Sequence, residues 1–176
     1  MEYRTKPNLS LPDFVSVYED MVLRGNPSQW DEKDFLNLIQ YFISESLTEK
    51  AMEALDYALQ FSSHHAEFYV IKIRLLMQEE DFKEADETLG IALNLYPHNP
   101  ELQLMRIKVT AQLGDFEKAF TMVDQCSNQM TLNSCVDLYL AEAYIYECMR
   151  EYNLMYHKLR DVLTIDPKNE EALEHI

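Results

Sequence analysis

Glycine is scarce in this chain: three in 176 residues, at Gly25, Gly90 and Gly114. They are too few and too scattered for a loop that cradles phosphate on backbone N–H groups. Cations are scarce as well. Fifteen Lys and Arg stand against 31 Asp and Glu, for a formal charge of −16. Binding to nucleic acid or to an anionic membrane rests on clustered Lys and Arg, so this balance argues against both. No apolar run comes near the roughly 18 residues of a membrane span. Residues 1–7 lack the apolar stretch of a signal peptide. Cysteine is limited to Cys126, Cys135 and Cys148, an odd number without a C-x-x-C pair. That usage reads as buried or half-buried thiols in a reduced, cytoplasmic chain.

Chemistry is equally hard to place. The five histidines include no H-E-x-x-H spacing for zinc, and His64-His65 reads as a solvated interhelix turn. No Ser-His-Asp or Cys-His arrangement follows from spacing. Carboxylates abound, but Glu84, Asp86, Glu87 and Glu117 fall on outward places and read as a solvated charged face. The expectation is a non-enzymatic chain with no catalytic residue, no cofactor and no metal. At 47% hydrophobic and 26% charged the composition is that of an ordinary folded protein.

What the chain does contain is a copy of itself. Residues 32–65, 66–99, 100–133 and 136–169 align at offsets of 34, 34 and 36, with Ser134-Cys135 as a two-residue insertion. Counting places from the start of each copy, the columns are coherent. Place four holds Phe35, Tyr69, Gln103 and Tyr139, and place eight holds Ile39, Ile73, Ile107 and Ala143. Place twenty holds Ala51, Ala85, Ala119 and Met155. Place twenty-four holds Leu55, Leu89, Val123 and Leu159, and place twenty-seven holds Ala58, Ala92, Cys126 and Val162. Pro97 and Pro167 close the second and fourth copies.

Each copy carries two apolar stripes at i, i+4 and i+7, parted by a polar turn such as Glu79-Glu80-Asp81 or Gly114-Asp115. That is a helix hairpin. One hairpin cannot bury both its faces, and stacked neighbours supply the missing core. Small residues at places twenty and twenty-seven let the second helix approach the first. Helix starts are legible too: Trp30, Asp31 and Phe35 have the spacing of a cap with a hydrophobic staple, and Asn99-Pro100 reads as N-cap then first helical residue. Ser134-x-x-Asp137 reads as a capping-box variant. Residues 1–12 read as a loose segment, and residues 13–31 as a packing helix and linker. That helix spans 13–24, with Phe14, Val17, Tyr18, Met21 and Val22 on one side, and Gly25 and Pro27 stop it.

The segments Gly114-Asp115-Phe116-Glu117-Lys118-Ala119 and Ala92-Leu93-Asn94-Leu95-Tyr96-Pro97 carry a resemblance to the tetratricopeptide repeat, whose period is 34 residues and whose pattern runs W-x2-L-G-x2-Y…A-x3-F…P. Ile or Ala replaces the family's glycine at place eight, and Lys72 and Arg106 fill two seventh places. The resemblance implies an all-α, right-handed superhelical solenoid of tandem helix hairpins. It also implies a protein–protein interaction module or scaffold that binds a peptide or helix of a partner protein in a concave groove. Two other roles stay open: a small acidic chaperone for a secreted or assembled substrate, and a regulatory domain of a longer protein with an activity elsewhere.

In this family places two, five, nine and twelve of the first helix line the concave side. The candidate partner-binding residues are Leu36, Gln40, Val70, Arg74, Met77, Leu104, Lys108, Leu140 and Tyr144. Place five is apolar in every copy, and place nine runs Gln40, Arg74, Lys108, Tyr144. An apolar floor beside two cations suits a peptide with apolar anchors and an acidic group. On the other reading, place five packs against the neighbouring repeat and the cations only solvate the helix. The Lys and Asn clamp of chaperone-tail-binding members is missing: its positions hold Leu36, Gln40, Ile71, Glu101 and Met105. Residues 170–176 open a fifth copy capped by Asn169, with Leu173 and Ile176 apolar, so the solenoid is expected to continue or to self-associate through this edge.

Overall fold

The computed structural model describes residues 15, 16, 18–20, 22, 30–61, 65–127 and 132–176, the side chains of 132–134 excepted. Among them there is no strand. Besides the helical residues 15, 16, 18–20 and 22, the described residues form these helices in order: α1 Glu32–Ser44, α2 Thr48–Phe61, α3 Ala66–Gln78, α4 Phe82–Leu95, α5 Pro100–Gln112, α6 Phe116–Ser127, α7 Leu132–Cys148, α8 Tyr152–Ile165 and α9 Glu170–Glu174. The chain divides into two compact units, residues 1–75 and 76–176.

Turn chemistry sets these boundaries. Ser46, Glu80, Gly114 and Arg150 have positive φ, at 58°, 60°, 86° and 62°. All four stand at place fifteen, so they are spaced 34, 34 and 36 apart, like the copies themselves. At each, the next residue's N–H reaches back to place eleven: Leu47 to Phe42 O at 2.8 Å, Asp81 to Leu76 O at 2.9 Å, Asp115 to Thr110 O at 3.2 Å and Glu151 to Tyr146 O at 2.9 Å. The place-fifteen N–H binds the place-twelve carbonyl, as Gly114 does to Ala111 O at 2.9 Å. This pair of bonds is a Schellman motif, which satisfies carbonyls that a helix end leaves open.

Helix starts are fixed by side chains. Asp31 caps α1 in a reciprocal box with Asp34, and the Trp30 ring lies 5.3 Å from Phe35 as the staple requires. Asn99 accepts from Leu102 N at 3.1 Å with Pro100 first in α5, and Asn169 accepts from Ala172 N at 3.0 Å. Ser134 is a correction. It lies inside α7, which starts at Leu132, so the two-residue insertion extends a helix and Ser134 does not cap one.

In the first unit α1 packs on α2, and Phe68, Ile71 and Leu75 of α3 join their core. Tyr18 is buried in it, with ring centroids 5.9 Å from Trp30 and 6.3 Å from both Phe42 and Tyr57. Residues 15, 16, 18–20 and 22 are helical, and Val22 is 42% exposed, so that residue departs from the expected apolar side. Phe14, Val17, Met21, Gly25, Pro27 and the first twelve residues lie outside the described residues.

In the second unit α5, α6 and α7 share one core and α7, α8 and α9 another. The repeat columns are the residues inside. Ile39, Ile73, Ile107, Ala51, Ala85, Ala119, Leu55, Leu89, Ala58, Ala92 and Val162 are wholly buried. Gln103, Tyr139 and Cys126 are the half-buried exceptions, and two of them meet: Cys126 Sγ lies 3.8 Å from Gln103 Oε1. Copy four exchanges volume, with Ala143 and Met155 together in one core.

Candidate interaction site

Place five is mostly core. Val70 and Leu140 are buried, while Leu36 and Leu104 are half-buried against the cores of their own units. Place nine faces outward: Gln40 and Arg74 are exposed, Lys108 and Tyr144 half-buried. Met77 is half-buried as well. Packing takes much of place five and leaves place nine at the surface.

Leu36, Gln40, Val70 and Arg74 belong to the first unit, and Met77, Leu104, Lys108, Leu140 and Tyr144 to the second. Within the second unit the structure brings Lys108, Leu140 and Tyr144 to one pocket of about 110 Å³, floored by Ala143, Met155 and Leu159. Glu147, Glu171 and His175 complete its wall. The Lys108 Nζ sits 5.4 Å from the centre of the Tyr144 ring and 3.2 Å from Glu171 Oε1. Gln112 Nε2 donates to the Tyr144 hydroxyl at 2.6 Å. Burial pushes the Tyr144 phenol above its ordinary value, against the lowering effect of that hydrogen bond.

Sequence reasoning missed Glu171. It lies 63 residues from Lys108 in a helix of five residues, and spacing alone gives no signal for such a pair. The Lys108 ammonium already faces a carboxylate of its own chain.

The charged seventh places have a different role. Lys72 of α3 reaches back to Asp56 of α2 at 2.7 Å, and Arg106 of α5 reaches Asp86 of α4 at 3.0 Å, donating also to the Asp86 carbonyl at 2.8 Å. Asp86 thus departs from the solvated face expected of it. In copy four the sign is reversed: Glu142 holds this place and pairs with Lys158 of α8 at 2.5 Å, beneath which the Tyr139 ring lies 5.1 Å away. Burial pulls the Lys158 ammonium down, but the hydrogen bond and charge of Glu142, joined by Tyr146 and Asp161, make the net shift upward.

Burial raises the Cys126 and Cys148 thiols above their ordinary value, which disfavours the nucleophilic thiolate. Among the described residues no cluster of His, Cys, Asp and Glu could hold a metal ion, and no helix is long and apolar enough to cross a membrane. His65 lies 3.3 Å from Glu32 and stacks near Phe68, while His64 is outside the described residues.

No family model and no curated protein matches the sequence. Solved structures do match the fold. A thermophilic tetratricopeptide-repeat protein of Thermus thermophilus superposes with a TM-score of 0.67 at 18% identity, over 94% of this chain and 94% of that one. A tetratricopeptide-repeat protein of Parabacteroides merdae gives 0.65 at 13% identity, over 94% of this chain and 70% of the other. MamA of Desulfovibrio magneticus gives 0.62 at 14% identity, over 81% and 80%.

Proposed function

With the tetratricopeptide-repeat fold as premise, we propose that this chain is a non-enzymatic interaction module that holds a peptide or helix of a partner protein against the first-helix strip. One observation carries the reading. Lys108, Tyr144 and Leu140, from two different helices, converge on a pocket that places a cation and an aromatic face beside an apolar floor. An open surface would screen such a cation more strongly. A tyrosine beside an apolar pocket is the kind of anchor around which binding hot spots form. The free thiols of Cys126, Cys135 and Cys148 fit a cytoplasmic setting.

Affinity capture with the full chain as bait tests this. Lys108→Ala combined with Tyr144→Ala should release the proteins enriched by the wild type, while circular dichroism shows unchanged helicity. Charge reversal at Lys108 is the poorer test, because a glutamate there would oppose Glu171. Capture that persists unchanged in the double variant would place the binding face elsewhere.

A further inference from the structure

The pocket holds a carboxylate that reaches it from outside the hairpin. Asn169 caps α9, and Ala172, wholly buried, seats the short helix in the core shared by α7 and α8. The first turn is thereby fixed, and only the Glu171 side chain extends to Lys108 of α5. The two side chains are 28% and 48% exposed, for Lys108 and Glu171. An ion pair this open holds weakly, so rotation of one side chain frees the ammonium without moving a helix.

We propose that Lys108 and Tyr144 form the carboxylate end of a peptide subsite, that Glu171 is its resident occupant, and that the ligand is an acidic segment with one Asp or Glu followed by an apolar side chain. The proposal rests on the interaction reading above and adds to it the ligand's chemistry and a competitor within the chain. An apolar cavity of about 150 Å³ admits benzene. A pocket of about 110 Å³ over Ala143, Met155 and Leu159 has room for an aliphatic side chain. Glu147, also on the wall and 4.0 Å from His175, opposes a second acid. Whenever Glu171 rests on Lys108 the subsite is closed, so the apparent affinity falls by the fraction of time it is open.

The test uses the full chain and two end-blocked, fluorescein-labelled octapeptides, one carrying a glutamate followed by leucine in a Gly-Ser background, the other glutamine in its place. Fluorescence anisotropy at low salt reads the affinities. Wild-type protein should prefer the acidic peptide. Glu171→Gln should tighten that peptide roughly three- to fivefold, the weight of one exposed ion pair, and leave the glutamine peptide unchanged. Lys108→Gln and Lys108→Ala should both erase the preference with helicity intact. If Glu171→Gln changes nothing while the Lys108 variants still erase the preference, the resident-occupant proposal falls and the interaction reading stands. Equal affinity for the two peptides in both wild type and Glu171→Gln would overturn the subsite itself.

Discussion

Four residues at place fifteen adopt the same left-handed backbone, and one of them is glycine. The conformation costs an L-residue about 1 kcal/mol or more, and glycine little. A Cβ on Gly114 would meet nothing within 4 Å, so the cost of Gly114→Ala is conformational and should be about 1 kcal/mol in denaturant melts. Glu80→Gly should run the other way and stabilise, by about 0.5 kcal/mol, because the unfolded chain gains freedom too. Equal effects of either sign at both sites would mean that the turn does not impose the backbone.

Tyr18 offers a second test on one side chain. Burial, then the Glu53 charge and Tyr57, push its phenol up to about 12 from 10.0. The folded state keeps the proton where the unfolded chain loses it, so stability is fully present below pH 10 and falls as pH rises towards 12. Tyr18→Phe should remove that part of the alkaline slope, read from urea midpoints between those limits. A slope identical to wild type would mean that Tyr18 ionises as freely in the folded state as in the unfolded one.

At the scale of helices, α7 and α8 share a core that includes Ala143 and Met155, at the places where the other copies carry isoleucine and alanine in sequence. Cores tolerate a swap that conserves volume. Met155→Ala leaves two alanines facing each other and should cost ~2–5 kcal/mol in chemical denaturation. A loss under about 0.5 kcal/mol, the size of a surface effect, would show that these side chains do not share a core.

The helical fold and its period were legible because burial imposes repetition: Ile39 and Ala51 lie in one core and Ile107 and Ala119 in another, for the same steric reason. Caps at Asp31, Asn99 and Asn169 were legible because capping is local in sequence. Ser134 was misread, since a capping pattern is also compatible with a helix interior when the chain starts its turn two residues earlier. Asp86 was misread because its partner Arg106 is 20 residues away, and helical periodicity says nothing about which neighbour an outward charge will meet. Glu171 was invisible for the same reason over a longer span.

Taken whole, a chain of charge −16 repels itself. The three seventh-place pairs relieve this locally, but 31 acids against 15 bases leave an excess of 16 negative charges. The Debye length falls from about 30 Å at 0.01 M salt to about 8 Å at 0.15 M. Screening should therefore raise the melting temperature of the wild type over that range, since compaction brings like charges together. A melting temperature that falls with salt would mean that the ion pairs outweigh the general repulsion. Each unit has its own core, and hairpin stacking makes stability a sum over neighbours more than a property of the whole.

The Schellman turns bear on that sum. The N–H groups of Leu47, Asp81, Asp115 and Glu151 are each locked to a carbonyl five residues back, and each is released only when its own hairpin opens. They form a ladder of four clocks, one per copy, running on amide hydrogen exchange. Their relative rates in deuterium oxide would rank the hairpins by local opening energy along the chain, and would show directly where the protein comes apart first.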